Sequence, residues 1–127
     1  MVDVIDKINA LRIAKAEGMI FMKHETIAAI QDDELPKGNV FTTAKIAGIQ
    51  AAKKTAELIH MCQQLNLSYV DIEFSIMPDH IYIRSTVKTK EATGVEMEAL
   101  SAGSNAVRTH YEMCKSVDKT LGVKDLQ

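Results

Sequence analysis

Val70-Asp71-Ile72-Glu73-Phe74-Ser75-Ile76, the turn Met77-Pro78-Asp79-His80, and then Ile81-Tyr82-Ile83-Arg84-Ser85-Thr86-Val87 decide the fold. Successive side chains of a strand point to opposite faces, so strict alternation of apolar and polar residues marks a strand with one face buried. Val70, Ile72, Phe74 and Ile76 form one face, and Asp71, Glu73 and Ser75 the other. After the proline-containing turn, where His80 is expected to be exposed, Ile81, Ile83, Ser85 and Val87 continue the buried face. This is a β-hairpin.

Upstream of the hairpin, Val40 to about Cys62 reads as one long helix, with Asn39 as its N-cap. Ala44, Ala47, Gly48, Ala51, Ala52 and Ala56 make it rich in small residues. Such a helix lets a sheet or a partner helix approach its backbone closely. Downstream, a second helix is expected from about Gly94 to Val117, with Thr93 and Glu96 at capping-box spacing. Nearer the N-terminus, Arg12 to Met22 alternates as a strand. Ala14, Ala16, Gly18, Ile20 and Met22 lie on one face, with Lys15 and Glu17 opposed. A short helix from Glu25 to about Asp32 follows, and then the breaker Glu34-Leu35-Pro36-Lys37-Gly38-Asn39. The tail from Leu121 reads as the start of a strand cut short. The order is strand, short helix, helix, strand, strand, helix, partial strand. It predicts an α+β, ferredoxin-like βαββαβ sandwich with an antiparallel sheet and one extra short helix.

The chain has 127 residues, 46% of them hydrophobic and 25% charged, with a formal charge of −2. That is the size of one domain, 1–127, with enough apolar material for a core. A net negative charge provides no global field to recruit nucleic acid or an anionic membrane. No stretch has the length of a membrane span or the pattern of a secretory leader, so the expected compartment is the cytoplasm. The two cysteines, Cys62 and Cys114, form no CxxC pair, and no two histidines share metal-ligand spacing on one helix. No metal site is expected from these residues. Phosphate-binding glycine loops and nucleophile-elbow motifs are absent as well.

Two charged groupings carry chemistry of interest. Lys37 stands on a loop just before a helix, beside free backbone N–H groups and the positive end of the helix dipole, which is a setting for anions. Glu112 and Lys115 are three residues apart on one helix face, where carboxylate and ammonium tune each other for proton transfer. Taken singly, a solvated loop lysine and a surface ion pair account for them more often than a site does. The acidic residues Glu96 and Glu98 similarly suit a helix N-terminus without further purpose.

Four segments together are more specific. Met1-Val2-Asp3-Val4, Phe41-Thr42-Thr43-Ala44-Lys45-Ile46-Ala47-Gly48-Ile49-Gln50-Ala51-Ala52-Lys53-Lys54-Thr55, Thr93-Gly94-Val95-Glu96-Met97-Glu98-Ala99-Leu100 and Tyr111-Glu112-Met113-Cys114-Lys115 occur in that order. They resemble, nearly end to end, the molybdenum cofactor biosynthesis protein C family. The resemblance implies a ferredoxin-like lyase that converts 3′,8-cyclo-7,8-dihydro-GTP to cyclic pyranopterin monophosphate and releases pyrophosphate. It further implies a hexamer built from dimers, with sites at subunit interfaces and a GTP-derived small molecule as the substrate, and with no nucleic acid or membrane partner. No organic cofactor is implied, and assistance by a divalent metal stays open.

Residue by residue, the resemblance assigns Lys37, Glu112 and Lys115 to catalysis. It assigns Asp3, Arg12, Lys15, Met61, Cys62, Gln63, Met97 and Glu98 to substrate binding. Three departures stand out. The family's acidic residue between the tyrosine and the lysine is aspartate, and here it is the longer Glu112. The family segment LIPLCHPL is Leu58-Ile59-His60-Met61-Cys62-Gln63-Gln64-Leu65, so Gln63 occupies the histidine position and both prolines are gone. Glutamine hydrogen-bonds but does not shuttle protons. The glycine- and lysine-rich tail expected after the last strand is missing, as though truncated. The first two departures set a second expectation beside the first, a catalytically impaired paralogue that keeps the fold and nucleotide binding.

Overall fold

The computed structural model of the chain describes residues 11–58, 65–91 and 93–124. Its elements are β1 (Arg12–Phe21), α1 (His24–Gln31), α2 (Val40–Lys53), the single turn α3 (Thr55–Leu58), β2 (Leu67–Ile76), β3 (His80–Thr89), α4 (Glu96–Cys114) and β4 (Gly122–Lys124). The four strands form one antiparallel sheet in the order β2-β3-β1-β4. This is the strand order of a ferredoxin-like βαββαβ unit, with α1 and α3 as additions.

The hairpin pairs the two expected inner faces, although Ile76, at the turn end, is exposed. Val70 faces Val87, Ile72 faces Ser85, Phe74 faces Ile83 and Ile76 faces Ile81. β1 continues the same inner layer, with Ile20 opposite Ile81 and Ala16 opposite Ser85. Ile20, Ile72, Ile81, Ile83 and Val87 are all at most 2% exposed. Each such side chain contributes about 1.5–3 kcal/mol of apolar burial. Ser85 is the polar exception, and its hydroxyl donates to the Ala99 carbonyl at 2.6 Å, tying α4 to β3.

The small residues of the long helix let it pack closely on α4. A Cβ placed on Gly48 would lie 2.8 Å from Ile72 Cδ1 and 2.9 Å from the Ala102 carbonyl oxygen. Gly48 of α2 meets the middle of α4, while Phe41 near the start of α2 meets His110 near the end of α4, with ring centroids 5.8 Å apart. The two helices therefore run antiparallel across the inner face of the sheet. This crossing positions the site.

Four expectations need correction. The helix starting at Val40 ends at Lys53 rather than Cys62. The Thr55 hydroxyl donates to the carbonyls of Ala51 (2.9 Å) and Ala52 (3.1 Å), competing for the acceptors a continuing helix would use. The capping box at Thr93 does not form. Val95 is the N-cap without a side-chain hydrogen bond, and its complete burial shows that packing sets the helix start. At the far end α4 stops at Cys114, three residues before the expected Val117, and the amides of Val117 and Asp118 turn back to the Cys114 carbonyl. His80, expected to be exposed in the turn, is instead half-buried as the first residue of β3, with its ring 5.0 Å from that of Phe21. The Asn39 cap is present, its Oδ1 accepting from the Thr42 amide at 2.9 Å. No helix among the described residues is long and apolar enough to cross a membrane.

Candidate active site

The breaker between α1 and α2 is a compact loop anchored by the buried Leu35. The Gly38 amide donates to the Leu35 carbonyl at 3.1 Å, and Gly38 adopts a φ of +103°, which an L side chain resists. The turn thrusts the exposed Lys37 outward. Because α2 and α4 are antiparallel, the start of α2 lies beside the end of α4. The Lys37 ammonium donates to the backbone carbonyl of Glu112 at 3.3 Å. The last carbonyls of a helix lack intrahelical partners and carry the negative end of its dipole, so they attract a cation.

One face of α4 completes the group. Lys115 Nζ lies 3.0 Å from Glu112 Oε2, and both side chains are about half exposed, at 49% and 51%. The Lys115 hydrogen bond and charge hold the Glu112 carboxyl below its usual range, and the charges of Lys37 and Arg108 add to the effect. Glu112 is thus a carboxylate at neutral pH, an acceptor surrounded by three cations. Ion pairs this exposed contribute little to stability, so their gathering is informative for chemistry rather than for folding.

Behind this surface the packing is rigid. His110 is fully buried against the rings of Phe41 and Phe74. Its Nδ1–H donates to the Ala106 carbonyl at 2.9 Å, while Nε2 has no hydrogen-bond partner among the described residues. Burial lowers its pKa to about 4, against a smaller opposing effect of the Ala106 hydrogen bond, so the ring is neutral at physiological pH. Just beyond Lys115, Asp118 fixes the chain. It accepts from the Lys23 amide (2.7 Å), the Thr26 hydroxyl (2.9 Å), the Thr120 amide (2.8 Å) and the Thr120 hydroxyl (2.5 Å). Since Lys23 is the N-cap of α1 and caps nothing with its own side chain, Asp118 does the capping from 95 residues away. Cys114 is a buried free thiol, pushed to about 11 by burial and by Asp118, and is therefore inert.

The structure brings Lys37, Glu112 and Lys115 together and leaves other sequence-assigned residues elsewhere. Met97 and Glu98 lie in the first turn of α4, and Glu98 is 14 residues, about 21 Å of helix, from Glu112. Arg12 is at the same end as Glu98: it opens β1 opposite Thr89 and its Nε donates to the Glu91 carbonyl at 3.3 Å. Lys15 is exposed on the side of β1 turned away from the helices, with Thr86 opposite. Asp3, Met61, Cys62 and Gln63 fall outside the described residues. Sequence reading passed over Arg108, whose signal was its spacing of four from Glu112, and gave no weight to His110 or Asp118. Among the described residues no three histidine, cysteine, aspartate or glutamate side chains gather as metal ligands would.

The MoaC family model matches residues 1–127. The chain belongs to the MoaC family. A family member from Chlorobaculum tepidum, named molybdenum cofactor biosynthesis bifunctional protein, is 57% identical over the whole chain, which spans 41% of that protein's length. Two further relatives, from Chloroflexus aurantiacus and Desulfatibacillum aliphaticivorans, are each named cyclic pyranopterin monophosphate synthase. They are 49% and 48% identical over 100% and 99% of the chain, which covers 79% and 80% of them. The family match thus includes the loop of Lys37 and the helix of Glu112 and Lys115.

Proposed function

We propose that the chain is a cyclic pyranopterin monophosphate synthase, a lyase of molybdenum cofactor biosynthesis that acts on 3′,8-cyclo-7,8-dihydro-GTP and releases pyrophosphate. The observation that carries this reading is the meeting of Lys37, Glu112 and Lys115 from two elements far apart in sequence. Family membership and the names of two relatives at about half identity supply the reaction.

The residues suit the chemistry. The substrate bears a triphosphate, and the lysine ammoniums are compact donors for its oxygens. Closing the cyclic phosphate requires a ribose-derived hydroxyl oxygen to bond to the α-phosphorus. The bond from that phosphorus to the bridging oxygen breaks, and pyrophosphate leaves with the electron pair. The hydroxyl proton needs an acceptor, for which Glu112, held as a carboxylate, is available. The cations beside it stabilise the charge that builds on the phosphates. Retention of both lysines, Lys37 and Lys115, favours a working site over an impaired paralogue.

One chain separates the Lys115 end of α4 from the Glu98 end by more than a small reacting centre spans. A two-fold dimer in which the Glu98 end of one helix approaches the Glu112 end of its twin resolves this, because an isologous contact pairs each end with the other. A hexamer built from such dimers, in the cytoplasm, is the assembly this reading includes.

The test is incubation of the purified chain with 3′,8-cyclo-7,8-dihydro-GTP, measuring pyrophosphate and cyclic pyranopterin monophosphate together. Stoichiometric formation of both is expected. Absence of both products from a folded, oligomeric sample overturns the reading.

A further inference from the structure

The Lys37–Glu112–Lys115 group has an unassigned fourth member. Arg108 precedes Glu112 by four residues on α4, and Lys115 follows by three, so all three side chains lie along one stripe of the helix. Arg108 is exposed, and its charge reaches the Glu112 carboxylate, which it helps to hold ionised. The group therefore contains three cations and one anion, on a chain whose formal charge is −2. Such a local excess is not neutralised from within.

The cations differ in what remains free. Lys37 already donates to the Glu112 carbonyl, and Lys115 to its carboxylate. Arg108 has no hydrogen bond or ion pair to any described residue, and its guanidinium carries five N–H donors in a planar fork. That fork matches two oxygens of one phosphate, a bidentate geometry an ammonium cannot reproduce. It stands about one helical turn, some 6 Å, from Glu112.

We propose that Arg108 is a binding residue of this site that grips the departing diphosphate portion of the substrate. The identity of that ligand rests on the function proposed above. Lys37 and Lys115 then sit nearer the reacting phosphorus, beside Glu112, while Arg108 holds the end of the chain that becomes pyrophosphate.

Binding of inorganic pyrophosphate to the full-length chain, measured by titration calorimetry without turnover, tests this. The variants are Arg108→Gln, Arg108→Lys and, as a distant control, Arg84→Gln. Arg84 lies on β3, its Nη2 donating to the Tyr82 hydroxyl at 3.3 Å. The expected result is about tenfold or greater weakening in Arg108→Gln, only partial recovery in Arg108→Lys, and no change in Arg84→Gln. In the substrate assay Arg108→Gln should raise KM more than it lowers kcat. Unchanged pyrophosphate affinity in Arg108→Gln overturns the proposal, as does equal weakening by Arg84→Gln, which would mean unspecific charge. Failure of wild type to bind pyrophosphate also overturns it. A wild type that binds pyrophosphate through Arg108 but yields neither product would sink the proposed reaction and leave the anion site standing.

Discussion

The ammonium of Lys37 donates to the backbone carbonyl of Glu112 across a sequence separation of 75 residues. That single contact joins the loop before α2 to the last turn of α4. It places a second lysine, from a different element, beside the Glu112–Lys115 pair.

Replacing either lysine should remove turnover and spare the fold. Lys37→Ala and Lys115→Ala are each expected to lower kcat by about 10²-fold or more. Both side chains are exposed and their pairs weak, so the thermal midpoint should move by less than about 2 °C. Wild-type rates in either variant would remove it from the chemistry.

Sharing of the site between subunits predicts complementation. Lys115→Ala and Glu98→Gln chains, each inactive alone, should regain activity when mixed under conditions of proven subunit exchange. Each heterodimer then carries one intact site, so its activity approaches about half that of the wild-type dimer. No recovery would mean that each chain holds a complete site.

His110 should make the fold acid-sensitive. Its folded pKa, about 4, lies below the usual 6.5, so the unfolded chain takes up a proton first as the pH falls. No penalty exists above pH 6.5. Stability should decline between pH 6.5 and 4, by about 3 kcal/mol in all. His110→Leu should flatten urea-unfolding free energies across that window, and an unaltered slope would show that another group is responsible.

Asp118 should be costly to replace although it lies outside the proposed chemistry. Burial pushes its carboxyl up, but the hydrogen bonds from Thr120, Lys23 and Thr26 prevail and bring it down to about 2. Its stabilisation is present above about pH 3.8 and disappears as the pH falls toward 2. Asp118→Asn should destabilise by about 1–3 kcal/mol at neutral pH in denaturant melts, since at least one buried donor loses a charged acceptor.

Gly48 tests the helix crossing. Gly48→Ala should cost about 1–3 kcal/mol, because the new methyl meets both Ile72 Cδ1 and the unyielding Ala102 carbonyl. A neutral outcome would mean that α2 and α4 separate without penalty.

The strands and their inner faces were legible in the sequence because alternation is a local property with a period of two, and Val70 to Val87 obeys it without tertiary help. The small residues of the long helix likewise announced a close neighbour, and Asn39 its cap. Lys37 and the Glu112–Lys115 pair stood out in the sequence only as charged groupings, and the resemblance carried by the four segments is what assigned them to catalysis. Tertiary structure decided the rest. It ended α2 at Lys53, where Thr55 captures two carbonyls, and put the N-cap of α4 at the buried Val95 rather than at Thr93. It buried His110 between two phenylalanines and sent Asp118 to cap α1. It also brought Lys37 to Glu112. These outcomes depend on how α2 and α4 cross over the sheet, and a crossing is set by the shape of whole packed faces, which no local spacing encodes.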